Sequence, residues 1–293
     1  SVQQLNQQFD QTKSSLLALG GVAGLTLFSA TNAAMDFNRQ MALVRGLLED
    51  INENQFQQLS DNAKKISITF GMMPSEIAKG LQNVARAGVQ DIDHQTKVLK
   101  AGLELAKIEG YNAADAVSHV ISATALFGDT YDNVERYANA LAHAANVSIT
   151  SAPKLAEALR YVGGLAQMHY SVEETLAALA SMAQKGVEGS VAGISLRSFL
   201  SYIIREMPKT KKALDELGLT FDDFWVKTEK GQRIRLKPIE DIILTIRQAA
   251  LSKGIDYEEL PRVLSQIGEP RQVQQYIKLF PTDQELKTGK WSL

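Results

Sequence analysis

The amino-acid sequence predicts a mainly α-helical protein built around a multi-helix globular domain, and three observations support this fold class. From Met35 to about Met207 the sequence is rich in good helix formers such as Ala, Leu, Glu, Gln and Lys. Apolar residues recur at spacings of three and four, as at Ile77, Leu81 and Val84. Glycines and capping residues interrupt this pattern, which predicts helices of about 10–18 residues joined by short connections.

The composition provides a large core and excludes several kinds of site. Hydrophobic residues make up 45% of the 293 residues, which suits one large helical domain or two smaller ones. There is no cysteine, so disulfides, thiolate metal sites and cysteine nucleophiles are excluded. The net charge is only -2 and the basic residues are scattered, so no specific nucleic-acid binding is expected.

The first predicted element is an N-terminal helix in residues 1–34. Residues 14–35 carry no charge but contain many small and polar residues, so the segment is only moderately apolar. Three interpretations remain open, which are contact with copies of itself or with the next helix, a latent membrane-active segment, and a constitutive transmembrane anchor. The residues predicted to form its contact face are Leu16, Leu17, Gly20, Gly24, Leu27 and Phe28. Because the chain starts at Ser1, we interpret it as part of a longer protein or as a processed one.

Residues 35–219 are predicted to form the helical core domain. Pro74 and Ser75 open one helix, and Ser171–Glu174 resembles a capping box that opens another. Glycines that are typical of helix C-termini follow at Gly88, Gly110, Gly128 and Gly186.

A faint internal repeat lies within this core. Ile77–Val84 aligns with Leu155–Val162, and Asn112–Ala116 falls opposite Ser190–Ile194 at the same offset. Duplication of a helical unit and chance similarity between Ala-rich helices are equally good explanations of the sequence pattern.

The pattern changes in residues 220–280, where a β-hairpin near residues 224–237 precedes further helices. Two β-rich runs flank Glu229–Gly231, which predicts the hairpin turn. Helices are expected at Ile239–Ser252, Tyr257–Ile267 and Arg271–Phe280. Residues 281–293 are predicted to be a loose polar tail or linker.

No pattern of reactive residues indicates catalysis, a cofactor or a metal. The four histidines, His94, His119, His143 and His169, include no pair four residues apart, and His119 and His143 are expected to be partly buried. The Gly-rich run Gly186–Gly193 lacks the Lys-Ser or Lys-Thr of a phosphate loop. We therefore expect no catalytic residue, no cofactor and no metal ligand, although two carboxylates that meet in space would escape this search.

Several of the same residues carry a resemblance to phage tail tape measure proteins, a family of minor tail proteins. The stretch Met35–Met41 resembles the entry to the family's conserved core, and Gly186–Arg197 resembles a later Gly-rich block. The resemblance extends over roughly residues 35–280. The matching positions are Met35, Phe37, Met41, Gly186, Gly189, Ser190, Ala192, Gly193, Leu196, Arg197, Leu217 and Gly218.

The resemblance implies a structural component of a phage or prophage tail that sets tail length, organises assembly and leaves during DNA ejection. It implies self-association as a trimer or hexamer. The implied partners are the tail tube protein, tail tip or baseplate proteins, tail assembly chaperones and, transiently, the host membrane. The implied location is the lumen or tip of the virion tail, and the host cytoplasm during assembly. The alternatives are a tail-associated cell-wall hydrolase and a bacterial membrane or secretion scaffold.

Overall fold

The structure, a computed structural model, describes the backbone of residues 22–291 and the side chains of residues 31–291. The helices in chain order are α1 (Val22–Leu47), α2 (Glu53–Phe70), α3 (Pro74–Arg86), α4 (Ile92–Glu109), α5 (Ala113–Leu126), α6 (Val134–Asn146), α7 (Ala152–Ala166), α8 (Val172–Gln184), α9 (Gly189–Ile204), α10 (Pro208–Leu217), α11 (Ile239–Ser252), α12 (Leu260–Ile267), α13 (Val273–Tyr276) and α14 (Asp283–Thr288). The two strands are β1 (Trp225–Lys227) and β2 (Arg233–Leu236). The predicted mainly α-helical fold with a small hairpin is confirmed.

The described chain divides into two compact units, the first of which contains the residues up to Leu103 and the segment Asn112–Ser118. In this unit α1 and α2 both pack against α3. Phe37, Met41 and Val44 form the buried face of α1. Their spacing of four and three residues places them on one side of a helix, which is why α1 buries that side.

The second unit contains Glu104–Tyr111 and residues 119–291. Within it α7 packs against α6, α8 and α9, while α10 packs against α12. A fully buried aromatic cluster joins α9 to the C-terminal turns, because Phe199 stacks on Tyr276 and meets Phe280 edge-on, with ring centroids 5.8 Å apart in both pairs. Such pairs add about 0.5–1.5 kcal/mol beyond the area they bury.

Helix α8 begins at the predicted capping box, but the Glu174 carboxylate of that box caps a different helix. Ser171 Oγ accepts a hydrogen bond from the backbone N–H of Glu174 at 3.2 Å, as an N-cap should. The Glu174 carboxylate does not return to Ser171. It accepts a hydrogen bond from the backbone N–H of Ile239 at 2.8 Å, at the start of α11. One short sequence motif therefore caps both α8 and α11, although Glu174 and Ile239 are 65 residues apart in the chain.

The helix bounds favour duplication over chance as the explanation of the sequence repeat. α3 and α7 begin at Pro74 and Ala152, 78 residues apart, and α5 and α9 end 78 residues apart. The intervening helices α4 and α8 follow the same order. Helices α2–α5 and α6–α9 thus have matching order and nearly matching spacing, which chance similarity between single helices would not produce.

The hairpin lies where it was predicted. Trp225 pairs with Leu236 in an antiparallel register, and the register shifts after Val226. Gly231 has φ +79° in the connecting turn, a conformation that glycine adopts without strain. The following helix, α11, has the predicted bounds.

The C-terminal segments depart from prediction. The expected helix at Tyr257–Ile267 begins only at Leu260, and the expected helix at Arg271–Phe280 is broken into short turns around α13. The loose tail is corrected in part, because residues 283–288 form α14, whose first residue, Asp283, accepts a hydrogen bond from the side chain of Arg247. A buried guanidinium needs hydrogen-bond acceptors, and the polar tail supplies them.

Much of the predicted N-terminal contact face lies outside the described residues. Leu16, Leu17 and Gly20 precede them, and Gly24, Leu27 and Phe28 lie in α1 with side chains that are not described. Within residues 22–291, no helix combines the length and the apolar character that crossing a membrane requires.

Candidate functional site

The stretch Met35–Met41, which we call the entry motif, lies on α1 and contains both buried and exposed apolar residues. Phe37 and Met41 are buried, whereas Met35 is 44% exposed. Beside them, Gln82 Nε2 of α3 donates a hydrogen bond to Gln40 Oε1 of α1 at 2.7 Å. The motif therefore fixes the packing of α1 on α3, and its one exposed apolar residue remains available at the surface.

The Gly-rich motif forms the turn between α8 and α9. Gly186 and Gly189 have φ of +84° and +60°, values that other residues adopt only with strain. A Cβ on Gly189 would also lie 2.8 Å from a carboxylate oxygen of Glu157. Glu188, between the two glycines, accepts hydrogen bonds from Thr150 at 2.9 Å and from Lys154. These contacts describe a tight structural turn that is held against α7.

The middle of the motif is a helix contact without space for a side chain. A Cβ on Gly193 would lie 2.2 Å from the carbonyl oxygen of Ala158 in α7. Ala192 and Leu196 are buried on either side of this contact, whereas Arg197 is exposed and Ser190 is half-buried. The last motif pair closes α10, where Leu217 is buried and Gly218 has φ +73°.

The histidines are dispersed through the described residues, where no group of three or more His, Asp or Glu side chains could hold a metal. His119 is half-buried and its Nδ1 lies 3.2 Å from the hydroxyl of Tyr111. His143 is exposed, which corrects the expectation that it is partly buried. It lies on the face of α6 that lines a surface groove, together with Ala140. Burial lowers the pKa of His169.

A groove of about 380 Å³ lies between α6 and α8. Four of its eleven lining residues are Ala, and Leu176 and Val147 are the larger apolar ones. His143 and Glu173 provide the ionisable groups. We call it the α6/α8 groove. Sequence reasoning missed it, since Ala at helical spacing is equally typical of a packed core.

One edge of the α6/α8 groove carries a bidentate ion pair. Arg136 donates to both carboxylate oxygens of Glu173, at 2.6 and 2.7 Å. This pair holds the pKa of the Glu173 carboxyl below its usual value. Next to it, burial and a hydrogen bond to Asp129 raise the pKa of Tyr137 to about 12. Glu173 is therefore a paired structural anion rather than a free base.

A second groove, of about 260 Å³, lies between α2 and α4 in the first unit, and we call it the α2/α4 groove. Ile66 and Phe70 form its apolar part. Lys65, Lys100 and Thr96 provide the polar groups. The two lysines are exposed, and the lining contains no acidic residue. Among the residues that the sequence analysis singled out, His143 and Glu173 of the capping box line the α6/α8 groove, and none lines the α2/α4 groove.

Comparison with known proteins identifies the family. Residues 60–269 match the family of phage-related minor tail proteins. The chain is 29% identical over 254 residues to the tape measure protein of Pneumococcus phage Dp-1, an alignment that covers 86% of this chain and 21% of that protein. It is 23% identical over 214 residues to the probable tape measure protein of Escherichia phage P2, covering 71% and 25% respectively. No solved structure matches the chain.

The chain spans a quarter or less of the length of these two relatives. The family match nevertheless covers more than half of the chain, and it includes α3 to α12, with the Gly193–Ala158 contact and the capping of α8 and α11. The chain therefore belongs to the phage-related minor tail protein family.

Proposed function

We propose that this chain is a folded docking segment of a tape measure protein, and that the remaining length of that protein acts as the ruler. Both relatives are called tape measure proteins, and both are at least four times longer than the part that matches. A helix rises about 1.5 Å per residue, so a ruler needs a long continuous helix.

The observation that carries this proposal is the repeated folding back of the chain in the second unit. Four helices, α6 to α9, follow one another with connections of only four or five residues, and α7 packs against the other three. Their contacts include a glycine that leaves no room for a side chain. Such a bundle adds little length per residue, and it presents fixed surfaces on which other proteins can dock.

The test is tail length, measured by electron microscopy of phage that carry in-frame deletions in the full-length gene. We expect deletions outside this chain to shorten the tail by about 1.5 Å per residue. Deletion of α6–α9 should instead abolish tail assembly. Tails of normal structure that are merely shortened after deletion of α6–α9 would contradict the docking role, and unchanged length after all deletions would contradict the ruler role.

We also propose that the segment acts without catalysis, within the tail tube or at its tip, and as a self-associated assembly. The bidentate ion pair of the Glu173 carboxylate with Arg136 supports a structural use of the ionisable groups in the α6/α8 groove. Clearing of peptidoglycan by the purified protein in a zymogram would contradict this proposal. Sedimentation of the full-length protein as a monomer would contradict self-association.

A further inference from the structure

The two grooves occupy equivalent positions in the two halves of the repeat. Five residues of α2 line the α2/α4 groove, and each lies 78 residues before a residue that lines the α6/α8 groove, in α6 or in the two positions that follow it. The pairs are Asn62 and Ala140, Lys65 and His143, Ile66 and Ala144, Thr69 and Val147, Phe70 and Ser148. On the second helix, Thr96 and Lys100 correspond to Glu173 and Ala177 at an offset of 77.

This correspondence shows that the groove is produced by the helical unit, because it persists although all seven of these side chains differ between the halves. The chemistry of the two grooves has diverged. The α6/α8 groove has small apolar walls, and its carboxylate is neutralised by Arg136. The α2/α4 groove has exposed ammonium groups on Lys65 and Lys100, and neither forms an ion pair with a described residue.

A third group in the α2/α4 groove also lacks a partner. The hydroxyl oxygen of Thr96 is buried and makes no hydrogen bond within the described part of the chain. A buried hydroxyl without a partner costs about 1–3 kcal/mol, so a bound acceptor would relieve this cost. The ammonium groups and the hydroxyl are donors that suit a carboxylate, and Ile66, which is 5% exposed, offers an apolar surface below them.

We propose that the α2/α4 groove binds an acidic amphipathic helix of another tail protein, with a carboxylate between Lys65 and Lys100 and apolar residues on Ile66 and Phe70. Charge complementarity supports an acidic occupant. A second copy of this chain is the competing occupant, and the crosslinking experiment below distinguishes it from another tail protein. This inference rests on the docking role proposed above.

The test uses the full-length protein in assembling phage. A photo-crosslinking amino acid is placed at position 100, and at position 79 as a control, because Lys79 is exposed on α3 outside the groove. Peptide mapping by mass spectrometry should place the adduct from position 100 within one helical turn of an Asp or Glu in another tail protein. Position 79 should not yield this adduct.

A charge swap then separates recognition from folding. Lys65→Glu with Lys100→Glu should lower the number of infectious particles at least tenfold, whereas Lys79→Glu should change it less than twofold. Replacing the crosslinked acidic residue of the partner by Lys should raise the number of infectious particles of the double variant at least tenfold. Because both groove lysines are exposed, thermal unfolding of the full-length variant should match that of the parent.

Several outcomes would overturn the inference. These are an adduct with a second copy of this chain, the absence of an adduct at position 100, an equal defect from Lys79→Glu, and failure of the partner's reversed charge to restore assembly. If one of these outcomes is found while tail length still scales with deletions elsewhere in the gene, only the assignment of this groove is contradicted. The proposed ruler and docking roles are then unaffected.

Discussion

Gly193 of α9 lies directly against the backbone of Ala158 in α7, so closely that a Cβ would be 2.2 Å from the Ala158 carbonyl oxygen and 2.9 Å from its Cα. The obstacle is backbone, which cannot rotate away as a flexible side chain can. The contact sets the distance between two helices on which the second unit is built. A side chain at Gly193 must therefore push α7 and α9 apart.

We expect Gly193→Ala to lower the free energy of unfolding by about 2–3 kcal/mol, through overpacking at this contact. The matched control is Gly164→Ala in α7, because a Cβ there meets nothing within 4 Å. Alanine should stabilise the helix at that position by about 0.5–1 kcal/mol. Denaturant unfolding of both variants measures the difference, and equal effects at the two positions would show that the helix contact does not set stability.

Arg247 is fully buried and ties α11 to the C-terminal residues, since it donates to the carbonyl oxygens of Ile255 and Pro281 and to the Asp283 carboxylate. Replacement by Met leaves buried acceptors without donors, so Arg247→Met should cost about 3 kcal/mol of unfolding free energy. Arg262 pairs with Glu216 at the surface, and Arg262→Met should cost less than about 1 kcal/mol. Similar losses in the two variants, measured by denaturant unfolding, would refute this difference.

The bidentate pair of Arg136 and Glu173 makes stability depend on pH. Because hydrogen bonds from Arg136 lower the pKa of Glu173 in the folded state, the pair contributes stability above the usual carboxyl pKa of 4.5, and this contribution is lost as pH falls through the lowered value. Both side chains are nearly half exposed, so solvent screening limits the contribution to less than about 1 kcal/mol.

Arg136→Gln should therefore lower the unfolding free energy at pH 7 and leave it nearly unchanged at a pH below the lowered pKa of Glu173. Arg160→Gln is the matched control, because Arg160 is exposed on α7 and forms no ion pair with a described residue. Unfolding curves across this pH range measure the effect. A loss from Arg136→Gln that is the same at both pH values would mean that the Glu173 charge does not mediate it.

Glu174 caps α11, so its loss should destabilise a helix far from it in sequence. Glu174→Ala leaves the Ile239 N–H without its acceptor and should cost about 1–2 kcal/mol. Burial raises the pKa of the Glu174 carboxyl, which shows that its charge is not favoured there. Glu174→Gln keeps an acceptor oxygen without a charge and should cost less than the Ala variant. Hydrogen exchange of the first turn of α11 should report this order, and a larger loss from the Gln variant would contradict it.

The local elements of this fold were predictable because residues close in sequence decide them. Apolar spacing predicted a helix with Ile77, Leu81 and Val84 on one face, and all three are buried in α3. The strand-forming runs predicted the hairpin around Gly231. Ser171 was recognisable as an N-cap because its acceptor serves an N–H only three residues away. Each of these signals needs no knowledge of the rest of the chain. Family membership was also accessible from the order of the Gly-rich and Ala-rich motifs.

The tertiary structure decided which of these residues meet across the chain. Glu174 accepts a hydrogen bond from Ile239 instead of capping its own helix start. Arg247 binds Asp283 in the segment that the sequence predicted to be a loose tail. The α2/α4 and α6/α8 grooves likewise arise only when helices from separate stretches come together. The physical reason is that periodicity states which face of a helix is apolar, whereas the partner of that face depends on crossing geometry and on close contacts such as Gly193 with Ala158.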